Sequence, residues 1–198
     1  MEHKQALAVT AWILDQIRPA CEIAEICGSL RRQRADVHDT EIVCKPNTAA
    51  PRPEWGQKAY KSRLDQILDN LIFDGALTKI KGAEKMRQYR IGRWEEFGYE
   101  TPINPFLFEL WICTPPASWG VLYMIRTGPA TFSKFMVTQI SKGGALPDKY
   151  HVDKGTVWKG DKRVEIPDEQ AYFKLCDRRW LEPEKREPVW MPVAPWAP

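Results

Sequence analysis

Two acidic residues at alternate positions of a short apolar segment constrain this chain more than any other feature of its sequence. Asp39 and Glu41 are separated by Thr40, and the segment continues as Ile42-Val43-Cys44. In a β-strand, alternate side chains point to the same face of the sheet. The pattern therefore predicts a strand that carries both carboxylates on one face. Adjacent carboxylates repel each other unless a cation lies between them, and hard oxygen ligands of this kind suit magnesium or manganese.

The residues upstream of this strand supply groups that bind phosphate. Gly28 and Ser29 predict a turn, and Arg31, Arg32 and Arg34 follow it. Backbone N–H groups, a hydroxyl and guanidinium groups are the donors that a phosphate needs. A metal site and a phosphate site this close in sequence predict phosphoryl or nucleotidyl transfer. A solvated face remains the alternative interpretation of Arg31 and Arg34.

Glu109 is a third acid in an unexpected position. It is the only charged residue in the segment Phe106–Cys113, which predicts a buried strand. Burying a carboxylate without a partner is costly, so the sequence predicts a partner for it. That partner is either an arginine of the hairpin predicted over residues 76–91, or water at the edge of a sheet. If the strands are neighbours, however, Glu109 joins Asp39 and Glu41 in the ligand set that a two-metal site uses.

Apolar spacing and turn residues predict the remaining elements on both sides of Pro115-Pro116. The predicted elements are a helix over 4–18, a strand over 22–27, a helix that contains Tyr60 to Leu71 and ends near Gly75, strands over 76–81 and 86–91, a helix capped by Ser118 that runs to Arg126, a helix from Thr131 to Gly143-Gly144, small strands over 149–166 joined at Lys154-Gly155 and Gly160-Asp161, and a helix from Pro167 to Leu175.

Composition excludes several classes of protein. With 43% hydrophobic and 28% charged residues, the chain is not disordered along its whole length. No apolar run approaches the roughly 20 residues of a membrane span, and the N-terminus does not resemble a secretory signal. The five cysteines form no CxxC pair and lie mostly in apolar segments. They are therefore interpreted as reduced core residues of a cytoplasmic protein.

The predicted hairpin carries a basic stripe. The stripe runs from Lys79 to Arg93 and contains six basic residues and one acid, Glu84. Lys79, Lys81, Lys85 and Arg87 are its candidate DNA-binding residues. Such a stripe suits a polyanion such as DNA. A solvated hairpin face is the alternative.

Three segments in this order resemble the family X DNA polymerases, within the DNA polymerase beta-like nucleotidyltransferase superfamily. The turn Gly28–Arg32, followed by Asp39 and Glu41, is similar to the metal and triphosphate motif of that superfamily. Trp119–Met136 is similar to the segment that opens the nucleotide-binding thumb, and Trp180–Glu187 is similar to its close. The resemblance implies an α+β fold with a mixed-sheet palm over 1–115, a small α/β thumb over 116–187 and a Pro/Trp-rich tail over 188–198.

The resemblance also implies roles for individual residues. Asp39, Glu41 and Glu109 would hold two Mg²⁺ ions, with Mn²⁺ as a possible substitute. The residues implied to bind the nucleotide are Gly28, Ser29, Arg32, Arg126, Thr127 and Gly128. Helix capping is the alternative for Thr127 and Gly128, and solvent exposure is the alternative for Arg126. If the chain is aligned with the family without gaps, Ser133 and Val137 fall at positions where related polymerases place side chains near the base pair.

The implied function is a DNA polymerase that adds dNMP to a primer 3′-hydroxyl in DNA repair, acting as a monomer on primer–template DNA and dNTP. A nucleotidyltransferase of the same fold with another acceptor, or without a template, is the alternative. An inactive DNA-binding module is an alternative of another class. The chain departs from the family pattern because Glu41 and Glu109 stand where aspartate is usual, and each glutamate adds a methylene to the reach of its carboxylate.

Overall fold

The computed structural model describes residues 1–47, 61–82, 84–100 and 106–186. Within these residues, a mixed sheet, a small second sheet and six helices make the fold α+β, which confirms the expected class. The elements in chain order are α1 His3–Ile17, β1 Cys21–Ile26, α2 Gly28–Arg31, β2 Asp39–Pro46, α3 Arg63–Phe73, β3 Leu77–Gly82, β4 Met86–Ile91, β5 Leu107–Ile112, α4 Trp119–Thr127, α5 Ala130–Val137, β6 His151–Asp153, β7 Thr156–Lys159, β8 Lys162–Val164 and α6 Glu169–Leu175. Among the helices of these residues, none has the length and apolarity that a bilayer crossing requires.

The described chain divides into two units that are each discontinuous in sequence. The first unit contains residues 1–26 and 35–112. The second contains residues 27–34 and the described residues from Cys113 onward. The Gly28-Ser29 turn and its arginines therefore belong to the second unit, whereas β2 and β5 belong to the first.

The first unit is built on a five-stranded mixed sheet in the order β1-β2-β5-β4-β3. β2 and β5 run parallel, and all other neighbours run antiparallel. α1 packs against β1 and β2 because its apolar residues recur once per helical turn. Val9 and Ile13 of this helix, and Ile42 and Phe108 of the sheet, are fully buried. The core of the first unit therefore lies on the helical side of the sheet.

α3 begins and ends at residues that are typical of helix termini. Ser62 caps its start in a reciprocal capping box with Asp65. Gly75 follows its end with a φ of +77°, a conformation that favours glycine. The predicted helix end at Gly75 is confirmed, while Tyr60 lies outside the described residues.

The second unit combines α4, α5 and α6 with the antiparallel meander β6-β7-β8. Its core includes Val121, Met124, Val157 and Tyr172, which are all fully buried. The predicted small strands with turns at Lys154-Gly155 and Gly160-Asp161 are confirmed. All five cysteines of the chain are buried, and none of them forms a disulfide. The Pro/Trp-rich tail over 188–198 lies outside the described residues.

α5 is shorter than its sequence predicts. It begins at Ala130, with Pro129 as the N-cap, rather than at Thr131. It ends at Val137 because Thr138 adopts an extended conformation and its hydroxyl donates to the carbonyl of Lys134. The predicted end at Gly143 was wrong, since Gly143 ends a separate 3₁₀ turn.

Candidate functional site

The strands predicted to carry the acids are neighbours in the first unit. β2 and β5 are paired in parallel with Glu41 directly opposite Glu109 and Asp39 opposite Leu107. Residues paired in this way project to the same face of a sheet. Asp39, Glu41 and Glu109 therefore share one face, and all three are half-buried. The residues that alternate with them, Ile42 among them, are fully buried on the helical face.

A buried pair of threonines fixes which way β2 faces. Thr10 of α1 donates its hydroxyl hydrogen to the carbonyl of Ala6 at 2.6 Å. Its hydroxyl also lies 2.5 Å from that of Thr40, so Thr40 donates to Thr10, which has already used its own hydrogen. Both threonines are fully buried. Thr40 is thus held against α1, and Asp39 and Glu41 face the other way.

Glu109 has a neutral partner. β5 is the central strand of the five, and Oε1 of Glu109 accepts a hydrogen bond from Nε2 of Gln88 on β4 at 2.8 Å. Both sequence alternatives for Glu109 were therefore wrong. The strand is not an edge strand, and no arginine forms an ion pair with Glu109 in the described part of the chain.

The acids share a face without forming a cluster of three. Within residues 1–47, 61–82, 84–100 and 106–186, no group of three or more His, Cys, Asp or Glu side chains converges on one point as a metal site. The register nevertheless brings Glu41 and Glu109 side by side, because neighbouring strands lie about 4.8 Å apart.

The Gly28-Ser29 turn lies in the second unit and presents a hydroxyl without a partner. Gly28 opens the short helix α2 with a φ of +64°, which favours glycine. Oγ of Ser29 is buried and has no hydrogen-bond partner among the described residues. A ligand that bonded to this hydroxyl would therefore displace no hydrogen bond within the described residues.

Three of the residues implied to bind nucleotide come together in the second unit. Nη1 of Arg32 donates to the backbone carbonyl of Thr127. A Cβ added to Gly128 would lie 3.0 Å from the same Nη1. Gly128, with a φ of +66°, is also the C-cap of α4, so the capping role foreseen as an alternative is present. Arg126 is half-buried in the last turn of α4.

Arg31 has a structural role that sequence reasoning missed. Its Nη2 donates to Oε2 of Glu169 at 2.6 Å, and its guanidinium lies 3.9 Å from the ring centre of Tyr123. Oε1 of Glu169 also accepts a bond of 2.7 Å from Arg186, which is fully buried. The solvated-face interpretation of Arg31 was therefore wrong, while Arg34 is exposed as expected.

The ion network sets the charge of Glu169. Burial opposes the ionised form, but hydrogen bonds from Arg31 and Arg186 outweigh it and hold the pKa of Glu169 below its ordinary value. Burial would likewise lower the pKa of Arg31, yet its bond to Glu169 leaves that pKa raised. The sequence feature that could have indicated this network is the presence of Arg186 in Trp180–Glu187, a segment that resembles the family.

The basic hairpin contains two kinds of cation. Lys79, Lys81 and Lys85 are exposed on the hairpin, as a polyanion surface requires. Arg87 is half-buried, and its Nη1 lies 2.5 Å from Oδ1 of Asp65. The bond to Asp65 keeps the pKa of Arg87 raised against the effect of burial. The three lysines and Arg87 thus differ in environment, although the sequence groups them together.

Ser133 and Val137 lie on α5 in the second unit. Ser133 is 7% exposed, and its hydroxyl donates to the carbonyl of Ile125 at 2.7 Å. Val137 is half-buried at the end of α5. The hydroxyl of Ser133 is therefore used inside the second unit.

Comparison with known proteins assigns no family to the chain. No protein-family model matches it, and no curated protein matches it significantly. Function is therefore inferred from the residues and their geometry.

Proposed function

We propose that this protein is a nucleotidyltransferase that transfers dNMP from dNTP to a primer 3′-hydroxyl, as DNA polymerases of family X do. The observation that carries the proposal is the register of β2 and β5, in which Glu41 lies opposite Glu109 and Asp39 lies on the same face. The proposed setting is DNA repair. Five cysteines without a disulfide support a reducing compartment, and we propose the cytoplasm.

The carboxylates fit divalent cations. Like charges directly opposite each other in a sheet are destabilising, so Glu41 and Glu109 favour a cation between them. Carboxylate oxygens are the ligands that Mg²⁺ and Mn²⁺ prefer. When bound, two such ions would lower the pKa of the attacking hydroxyl and neutralise the leaving pyrophosphate.

Each acid would have its own task in the transfer. Asp39 and Glu41 would hold both ions, and Glu109 would hold the ion on the hydroxyl side. Glu109 is also the candidate to accept the proton of the primer hydroxyl. The bond from Gln88 fixes one oxygen of Glu109 and leaves the other available for that task.

The second unit would bind the nucleotide. The unpartnered hydroxyl of Ser29 supports a phosphate contact, and Arg32 supplies a guanidinium for the triphosphate. Gly28 allows the backbone to approach a phosphate closely. Thr127 and Gly128 would lie under the sugar, and Arg126 would add positive charge near the nucleotide.

The first unit would also hold DNA through the exposed lysines of its hairpin. Lys79, Lys81 and Lys85 are available to phosphates, whereas Arg87 would have to exchange Asp65 for one. Phosphate contacts of this kind are independent of sequence and weaken with salt. The protein would act as a monomer on primer–template DNA.

A primer-extension assay tests the proposal. The purified chain is given a labelled primer, with or without a template, and dNTP or NTP, in Mg²⁺, in Mn²⁺ and in a chelator. We expect extension that requires metal, template and dNTP. Extension without a template, or with NTP, would indicate a nucleotidyltransferase with another acceptor. DNA binding without any extension would indicate an inactive DNA-binding module.

A further inference from the structure

Thr127 contacts both arginines of the Gly28–Arg32 turn through different atoms. Its side-chain Oγ1 accepts a bond from Nη1 of Arg31 at 2.5 Å and donates to the carbonyl of Tyr123 at 2.8 Å. Its backbone carbonyl accepts a bond from Nη1 of Arg32. Thr127 is fully buried, so these bonds do not compete with water.

Arg31 is itself held on three sides. Besides Thr127, it bonds to Glu169 and lies against the ring of Tyr123. An arginine that forms two directed bonds and a ring contact has little freedom to reach a ligand. Arg31 is therefore suited to support the turn rather than to bind phosphate.

Glu169 is anchored in turn by Arg186. Arg186 bonds to both oxygens of Glu169, at 2.7 and 3.3 Å, and its Nε donates to the carbonyl of Leu181 at 2.9 Å. Its guanidinium also lies 5.2 Å from the ring centre of Phe173. Arg186, Glu169, Arg31, Thr127 and Arg32 thus form one connected chain of contacts, named here the Thr127 network.

We propose that Thr127 is a positioning residue for nucleotide binding. Through the Thr127 network, it holds Arg31 as a support and fixes Arg32 where the guanidinium meets the triphosphate. This inference rests on the proposed function, because it takes Arg32 as the phosphate ligand. Binding energy is gained when a charged donor is already oriented before the ligand arrives. The consequence is an effect on nucleotide affinity rather than on the chemical step.

The matched pair Thr127→Val and Thr127→Ser tests the role. Valine has the shape of threonine without its hydroxyl, whereas serine keeps the hydroxyl. We expect Thr127→Val to raise KM for dNTP about tenfold, in line with removal of one hydrogen bond to a charged group, and to change kcat by less than about twofold. Thr127→Ser, which keeps the hydroxyl, should restore most of the dNTP affinity that Thr127→Val loses. Calorimetric titration of each variant with dNTP, in the presence of Mg²⁺ and without primer, should show the same reduction of affinity for Thr127→Val.

Arg31→Lys gives an independent test if Thr127→Val does not fold. A lysine ammonium is a point charge and cannot bridge Thr127 and Glu169 while lying against Tyr123. We expect it to raise KM without lowering kcat, and thermal melting of each variant checks that the fold is intact.

The possible failures are distinguishable. If Thr127→Val and Arg31→Lys keep wild-type nucleotide affinity while wild type extends primers and Asp39→Ala does not, the positioning role is wrong and the proposed function stands. An equal reduction in Thr127→Ser would also refute the role, since the hydroxyl would not be the cause. If wild type neither binds dNTP nor extends a primer, the proposed function fails and the role fails with it.

Discussion

Two glutamates, one in each unit, differ in the groups that contact their carboxylates. Glu169 in the second unit is 5% exposed and accepts bonds from two arginines. Glu109 in the first unit is half-buried and accepts a bond from the neutral amide of Gln88. No ion pair to Glu109 forms among the described residues, and the residue opposite it in the sheet, Glu41, is another acid.

This difference separates a structural acid from a candidate ligand. The charge of Glu169 is balanced by groups of the chain itself, so its removal should affect folding. Glu109 has another acid, Glu41, opposite it in the sheet, and like charges placed in this way repel each other. Such an environment is expected for a group whose countercharge is supplied by a bound cation.

The largest effect is expected from Glu169→Ala. The substitution leaves Arg186 and Arg31 without their carboxylate, and breaking a buried pair on one side costs about 3–5 kcal/mol of unfolding free energy. Urea denaturation of the purified protein measures it. Glu184→Ala, at an exposed position of the same unit, is the control and should stay within about 0.5 kcal/mol of wild type. Equal stability of both variants would contradict the structural role of Glu169.

Glu109→Gln should lower activity without lowering stability. We expect nucleotide transfer to fall by at least about a hundredfold, comparable with removal of a major electrostatic stabiliser. The melting temperature should not fall, because the substitution relieves repulsion with Glu41. Single-turnover primer extension and thermal melting measure the two properties.

Glu25→Gln is the matched control for that experiment. Glu25 lies on β1 opposite Val43, on the same face as the three acids, and has no assigned role. It should retain wild-type transfer. Full activity of Glu109→Gln would show that Glu109 is structural and that the comparison between the two glutamates is wrong.

A smaller effect is expected in the pH dependence of stability. The folded-state pKa of Glu169 lies below the ordinary value of 4.5. Its stabilising contribution is therefore complete above pH 4.5 and is lost as pH falls through the lowered folded-state pKa. The stability difference between wild type and Glu169→Gln should be constant near neutral pH and should shrink at acid pH. Urea titrations at pH 7, 5, 4 and 3 measure it, and a constant difference throughout would contradict the ion network.

The smallest effect is expected from the hairpin lysines. Charge reversal of Lys81 and Lys85 together should weaken DNA binding to all sequences alike and lower the salt slope by about 0.9 for each phosphate that is no longer neutralised. Arg87 is left unchanged, because its reversal would also break the pair with Asp65. Reversal of Lys159 and Lys162, exposed in the second unit's meander, is the control. If both pairs weaken binding equally, the stripe is only a solvated face.

Local patterns predicted the acid face well, because strand alternation is a short-range property. The strand that carries Asp39 and Glu41 is indicated by the apolar residues Ile42-Val43-Cys44 that follow them. Its orientation is fixed by the buried contact of Thr40 with Thr10. Pairing of β2 with β5 was a conditional expectation, since no local pattern specifies which strands become neighbours. The register of Glu41 with Glu109 became known only from the structure.

Long-range pairs were beyond the sequence. Glu169 follows Asp168, the N-cap of α6. This position indicates only that its negative charge stabilises the first turn of the helix. Nothing local indicates that Arg31 and Arg186, far apart in the chain, would meet it. Arg87 was grouped with its neighbouring lysines for the same reason, because Asp65 lies on a different element.

The second unit takes its residues from two separate parts of the chain, and this limits how the protein can be cut into fragments. Residues 27–34 belong to a unit whose other described residues begin at Cys113. A fragment expressed from Cys113 onward would contain Glu169 and Arg186 but would lack Arg31, so one end of the ion network would be missing. A fragment that stops at Ile112 would carry the Gly28-Ser29 turn without Thr127. A cut before Cys113 would therefore leave the first unit with all its residues but would separate residues 27–34 from the rest of the second unit.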